Sequence, residues 1–137
     1  MKRKALTITL AAVMAMGTCA VTASAADGDK YTIGICQLVQ HEALDAATQG
    51  FKDEIVKELG EDAVTFDEQN AQGDSNTCST IINSFVSNNE DLILANATAS
   101  LQAAAAGTSD IPILGTAVTE YGVALDLKDF DGTVGGN

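Results

Sequence analysis

Apolar residues along this chain fall into short blocks, and two kinds of block alternate. Residues 31–39 ("YTIGICQLV") are β-branched and apolar, which predicts a buried strand. In the next block Leu44, Ala47, Phe51, Ile55 and Leu59 recur at spacings of three and four, the mark of an amphipathic helix. Gly60 follows where a helix-ending glycine belongs. Residues 63–69 form a second, weaker strand pattern. Cys78, Ile81, Ile82, Phe85 and Val86 then mark a second helix that ends at Asn88 and Asn89. Residues 91–98 ("DLILANAT") hold a continuous apolar run, as expected of a strand covered on both faces. An alanine-rich helix closed by Gly107 and a fourth strand over residues 111–119 complete the series; Pro112 is tolerated near that strand's start. Beyond Tyr121 the pattern weakens, and "DFDGTVGGN" reads as loop.

Strands alternating with helices predict an α/β fold: a parallel sheet with flanking helices. In such sheets ligands bind beyond the carboxyl ends of the strands, near the point where strand order reverses. That edge receives residues 37–42, 67–77, 98–100 and 116–120. The second of these, "DEQNAQGDSNT", is polar apart from Ala71 although apolar blocks lie on both sides of it.

The N-terminus changes the picture of where the protein works. Lys2, Arg3 and Lys4 precede an apolar stretch, and Ala23, Ser24 and Ala25 fit a small-x-small cleavage site before Ala26. This predicts a secretory signal over residues 1–25 and an extracytoplasmic protein, in the periplasm or at the cell surface. Cys19 raises a second exported form, a lipid anchor, although Met16, Gly17 and Thr18 match a lipobox poorly. The whole chain of 137 residues carries a formal charge of −12. Its 19 acidic residues all lie beyond the signal, with only Lys30, Lys52, Lys57 and Lys128 to offset them. Such a surface repels nucleic acid and anionic lipid. Residues 26–137 amount to one small domain. Cys36 and Cys78, the cysteines that survive cleavage, read as buried thiols rather than a disulfide framework.

Catalytic patterns are missing. There is no G-x-G-x-x-G, no P-loop and no G-x-S-x-G elbow, and His41 is the lone histidine. Cys36, His41 and Glu42 match no zinc spacing, and "DFDG" lacks the rest of a calcium loop. No enzyme and no cofactor is expected. The chemistry on offer is recognition by hydrogen bonds. Asp74 or Ser75 is placed to cap the second helix and Thr98 the third. Free N–H groups at the start of the third helix attract a carboxylate, and the hydroxyls of Thr98 and Ser100 add donors. Asn70 and Gln72 each bring two donors and an acceptor oxygen.

In the order "GICQLVQHEALDAATQGFKDEI", "FDEQNAQGD", "NATASLQAAA" and "IPILGTAVTE", residues 31–137 resemble the ABC-importer substrate-binding proteins of the tryptophan/tyrosine-type family. The resemblance implies a type I periplasmic-binding fold, in which two α/β lobes close over a small ligand. It also implies an ABC permease in the membrane as partner and an amino acid, with an aromatic or other apolar side chain, as ligand. Residues 26–137 would be the N-terminal lobe. The family continues into a second lobe, so the chain reads as the N-terminal part of such a protein. On this reading Thr98, Ser100 and the backbone of Ala99 hold the ligand's carboxylate. Gln37, Val118 and Thr119 bound the site, and Asn70 and Gln72 meet the ligand's polar end or the closing lobe. Two positions depart from the family. Ala99 stands where proline is usual, and Thr119-Glu120-Tyr121 replaces Thr-Asp-Pro, which alters the rim. An exported ligand-sensing module that signals to a membrane receptor is the alternative function.

Overall fold

The computed structural model describes residues 29–130. The expected export signal, Cys19 and the loop from residue 131 lie outside them. Four strands, β1 (Tyr31–Gln37), β2 (Val64–Asn70), β3 (Leu92–Asn96) and β4 (Ile113–Thr116), alternate with helices α1 (Glu42–Leu59), α2 (Ser75–Asn88), α3 (Thr98–Gly107) and α4 (Tyr121–Ala124). All strand pairs are parallel and the order is β2-β1-β3-β4. Parallel neighbours cannot be joined by tight turns, so each connection carries a helix. The chain leaves β1 toward one side of the sheet and returns to place β3 on the other. The reversal of strand order therefore falls between β1 and β3, at the centre of the sheet.

The two central strands are buried on both faces, which explains their unbroken apolar runs. On one face Ile33, Ile35 and Leu94 pack against Phe51 and Ile55 of α1. On the other, Cys36, Ile93 and Ala95 meet Cys78, Ile81, Ile82 and Phe85 of α2 and Leu101 and Ala104 of α3. β2 is an edge strand and its exposure alternates. β4 is the opposite edge, and Leu114 there is 47% exposed.

Local signals set the element ends. His41 caps α1, its Nδ1 accepting from the Ala43 N–H at 3.2 Å. Gly60, at φ 94°, ends the helix and donates its N–H to the Val56 carbonyl at 2.8 Å. Asp74 caps α2, as its sequence position allows, and Asn89 closes that helix in the left-handed region. Two expectations change. Thr98 is the first residue of α3, not its cap; Ala97 holds the cap position and no side chain satisfies the helix start. Past β4, where the apolar pattern weakens, the structure adds a helix that the sequence did not show. Tyr121 starts a short helix, donates its hydroxyl to the Gly115 carbonyl at 2.7 Å and stacks on Phe130. A single turn is too short to show a helical period.

The core closes tightly at Gly34. A Cβ there would lie 2.6 Å from the ring of the fully buried Phe85, so only glycine lets α2 approach β1 this closely. Gly34→Ala is expected to cost about 1–3 kcal/mol through overpacking, read as a lower urea midpoint with an unchanged slope.

At the amino end of the sheet, Glu90 is buried and its Oε2 finds no partner. Burial, with the nearby Asp67 and Asp91 carboxylates, raises its pKa above the ordinary 4.5. The folded state therefore holds this proton more tightly than the unfolded chain. The stability linked to it is complete below the ordinary value and is lost as pH rises through the raised one. Glu90→Gln should melt higher than the parent at neutral pH, and the gain should vanish on acidification below the ordinary glutamate range, as followed by thermal melts across pH.

Candidate functional site

The carboxyl edge of the sheet is where the expected site residues gather. The last rung pairs Asn70 with Gln37, Gln37 with Asn96, and Asn96 with Thr116, one polar residue from each strand. The loops beyond that rung are stitched together by backbone bonds. The Leu38 N–H donates to the Asn96 carbonyl at 3.2 Å, Ala71 N–H to Gln37 at 2.9 Å, Gly73 N–H to Leu38 at 2.7 Å, and Ala97 N–H to Thr116 at 3.0 Å. All four connections that sequence placed on this edge are thus held in one frame.

At its centre α3 begins. Ala97 sits at φ 97° and ψ 163°, a region that belongs almost entirely to glycine and costs on the order of 1–3 kcal/mol. This turn directs the first N–H groups of α3, those of Thr98, Ala99 and Ser100, out of the helix with no side-chain cap. Such groups, with the helix dipole behind them, suit an anion. Thr98 and Ala99 are half-buried.

Ser100 does not do what its sequence position suggested. Its side chain is fully buried, with Oγ 3.6 Å from the Cys36 sulfur and 3.7 Å from the Cys78 sulfur. The hydroxyl is committed to the core, so only its N–H remains for the edge. Both thiols are free and buried. Desolvation by burial pushes Cys36 up to about 12, so it stays a neutral thiol with little nucleophilic character.

Gln37 is likewise turned inward. It is 3% exposed, and its amide is spent on Asp45, Thr48 and Val39. Val118 packs on the core beside α3, while Thr119 is exposed. Asn70 and Gln72 line an open groove of about 410 Å³ with Val39 and Gln40. The Asn70 side chain accepts from the Gln72 N–H at 2.8 Å, which holds Gln72 at φ 55°. Beside it, Asp74 is held below the usual carboxylate range by the Asn76 N–H and the Thr77 hydroxyl. A larger groove of about 610 Å³ runs between α1 and the amino half of β2. It is far from the strand-order reversal, and its Lys52 and Lys57 are already paired with Glu68 and Glu54. Among the described residues no acidic, cysteine or histidine group is arranged to hold a metal ion, and no helix is long and apolar enough to cross a membrane.

A family model described as "ABC transporter substrate binding protein" matches residues 32–131, which take in all four strands but for Tyr31, and this edge. The chain belongs to the ABC transporter substrate-binding protein family. A relative named tyrosine-binding protein, from Clostridioides difficile, is 44% identical over 113 residues, covering 76% of this chain and 32% of its own length. Among solved structures, a ligand-free, open substrate binding protein with adhesive properties from Clostridium difficile is 46% identical. It superposes with a TM-score of 0.66 over 69% of this chain and 32% of that one. An ABC domain in complex with L-Trp from Streptococcus pneumonia is 32% identical, with a TM-score of 0.67 over 71% of this chain and 33% of that one. This chain therefore spans about a third of the length of the relatives it matches. The parallel α/β lobe expected from the sequence is what these proteins share with it.

Sequence reasoning missed two residues of this edge. Thr48, buried in α1, and Asn96, buried at the end of β3, both contact Gln37. A usable signal was present, since Leu44, Thr48, Phe51 and Ile55 follow the same three-and-four spacing as the apolar stripe.

Proposed function

We propose that this chain supplies one wall of the ligand site of an extracytoplasmic solute-binding protein that serves an ABC importer. The ligand is an amino acid with an aromatic or other apolar side chain. The observation that carries the reading is the uncapped start of α3, fixed by the strained Ala97 at the point where strand order reverses. It offers a row of N–H donors that fits a carboxylate without any cationic side chain. Thr98 and Ala99 hold the carboxylate together with the Ser100 N–H. Val39, Gln40, Asn70 and Gln72 face the rest of the ligand or the surface that closes on it, and Thr119 bounds the far side. The relative named for tyrosine and the one solved with L-Trp support this ligand class. A second lobe closes the site, in keeping with relatives of which the matched part of this chain covers only 32%.

Titration of isotope-labelled protein with L-tryptophan tests the site. One wall of contacts corresponds to roughly −4 kcal/mol, a millimolar dissociation constant. The amides of Thr98, Ala99 and Ser100 should shift most, and Thr98→Val should weaken binding by about tenfold, the worth of one good hydrogen bond. Shifts scattered over the opposite edge, or none up to the solubility limit, would remove the reading. Export is tested separately. The mass of protein recovered outside the cytoplasm should begin at or near Ala26; a diacylglyceryl adduct on Cys19 would replace free secretion with a membrane anchor.

A further inference from the structure

Gln37, Asn96 and Thr48 form a closed polar cluster immediately beneath the ligand edge. The Thr48 hydroxyl donates to Gln37 Oε1 at 2.7 Å and accepts from Asn96 Nδ2 at 2.9 Å. Asn96 Nδ2 also reaches the Leu44 carbonyl at 2.9 Å. Gln37 Nε2 divides between Asp45 Oδ1 at 2.6 Å and the Val39 carbonyl at 3.0 Å. Asn96 is fully buried, and its Oδ1 has no partner.

As a source of stability this is a poor choice. Earlier on the same face Ile33, Ile35 and Leu94 pack against Phe51 and Ile55 with no polar group to satisfy. An unpaired buried acceptor destabilises, and a buried amide bond returns little net free energy. What the cluster does provide is direction. Through Val39 it reaches the loop after β1, through Leu44 the first turn of α1, and through Asn96 the residue just before the strained Ala97. These segments together carry the wall of the site that this chain supplies.

We propose that Gln37, Thr48 and Asn96 are positioning residues for ligand binding. They lock the loop after β1 to the end of β3, so that Val39 and Gln40 face the α3 N–H groups at a fixed separation. This rests on the ligand-binding reading above.

Thr48→Val keeps the shape and removes the hydroxyl that joins the two amides, and Thr48→Ser restores it. Two readouts on the mature chain separate the possibilities. Amide hydrogen exchange should accelerate in Thr48→Val at Leu38, Gly73 and Ala97, whose N–H groups stitch the edge, by several-fold more than at Ile33 and Ile93 in the sheet interior. L-tryptophan binding should weaken about tenfold. Thr48→Ser should recover both. Uniform acceleration at all five amides, or an unchanged pattern, would make the cluster ordinary core and overturn the proposal. If the parent protein itself shows no response to L-tryptophan, the ligand reading falls, while the exchange pattern still decides whether the cluster positions these loops. Should Thr48→Val not fold, Asp45→Ala at an exposed position frees Gln37 Nε2 from one side and must give the same local pattern, or the proposal fails.

Discussion

The sheet's last rung constrains everything around it. Four parallel strands end together there, and side chains on the α1 face change from aliphatic to amide within one pleat: Ile35 and Leu94 give way to Gln37 and Asn96. Parallel pairing aligns the strand ends without help from turns, so all four following loops begin at one level. The order β2-β1-β3-β4 then parts the loops after β1 and β3 to opposite sides. The polar rung forms the floor beneath them, with Gln37 and Asn96 buried in it. An aliphatic floor would pack better but would leave the loops free to choose among rotations. Directional bonds remove that choice.

The start of α3 repeats the same exchange of stability for geometry. An asparagine or serine at the cap would satisfy one helix N–H and stabilise the element by about 1 kcal/mol. Here the cap is an alanine held in a glycine conformation, and the N–H groups stay available. The helix is secured from its other side instead. Leu101 and Ala104 are buried against the sheet, and the Ser100 hydroxyl lies between the two buried thiols of Cys36 and Cys78. A helix pinned along its inner face can leave its first turn unsatisfied without fraying.

These features differ in how plainly the sequence displays them. The strands and long helices were legible because burial on one or two faces writes a period into the chain. β1 and β3 read as unbroken apolar runs, and Cys78, Ile81, Ile82 and Phe85 read as one stripe. The parallel architecture followed from their alternation, and the gathering of the polar loops at one edge followed from the architecture. Polar residues resisted the same logic. Thr48 occupies a core position on the α1 stripe but is not apolar, and Ser100 looks like a loop donor while serving the interior. Hydroxyls and amides are chosen for their partners, and the partners of Thr48 lie as far away as Asn96, 48 positions along the chain. The cap of α3 was misplaced by one residue because Thr98 has the chemistry of a cap, whereas the strained backbone of Ala97 is set by tertiary contacts such as its bond to Thr116.

The chain's acidity bears on how such a site attracts its ligand. A protein this negative repels carboxylates at long range, and its lysines do not gather at the edge to compensate. Lys52 and Lys57 lie along α1 and are engaged by Glu68 and Glu54. On the proposed function, recognition of the carboxylate would therefore come from short-range dipoles, the N–H row of α3 and the helix behind it, and not from net charge. That choice has a consequence for selectivity. A free anion meets the full repulsion of the surface and gains only the N–H row. A zwitterion carries its own cation, so the acidic surroundings that oppose its carboxylate favour its ammonium group. On the proposed function, an uncharged anion cradle on an acidic surface would favour amino acids over simple carboxylates before any contact with the side chain is made.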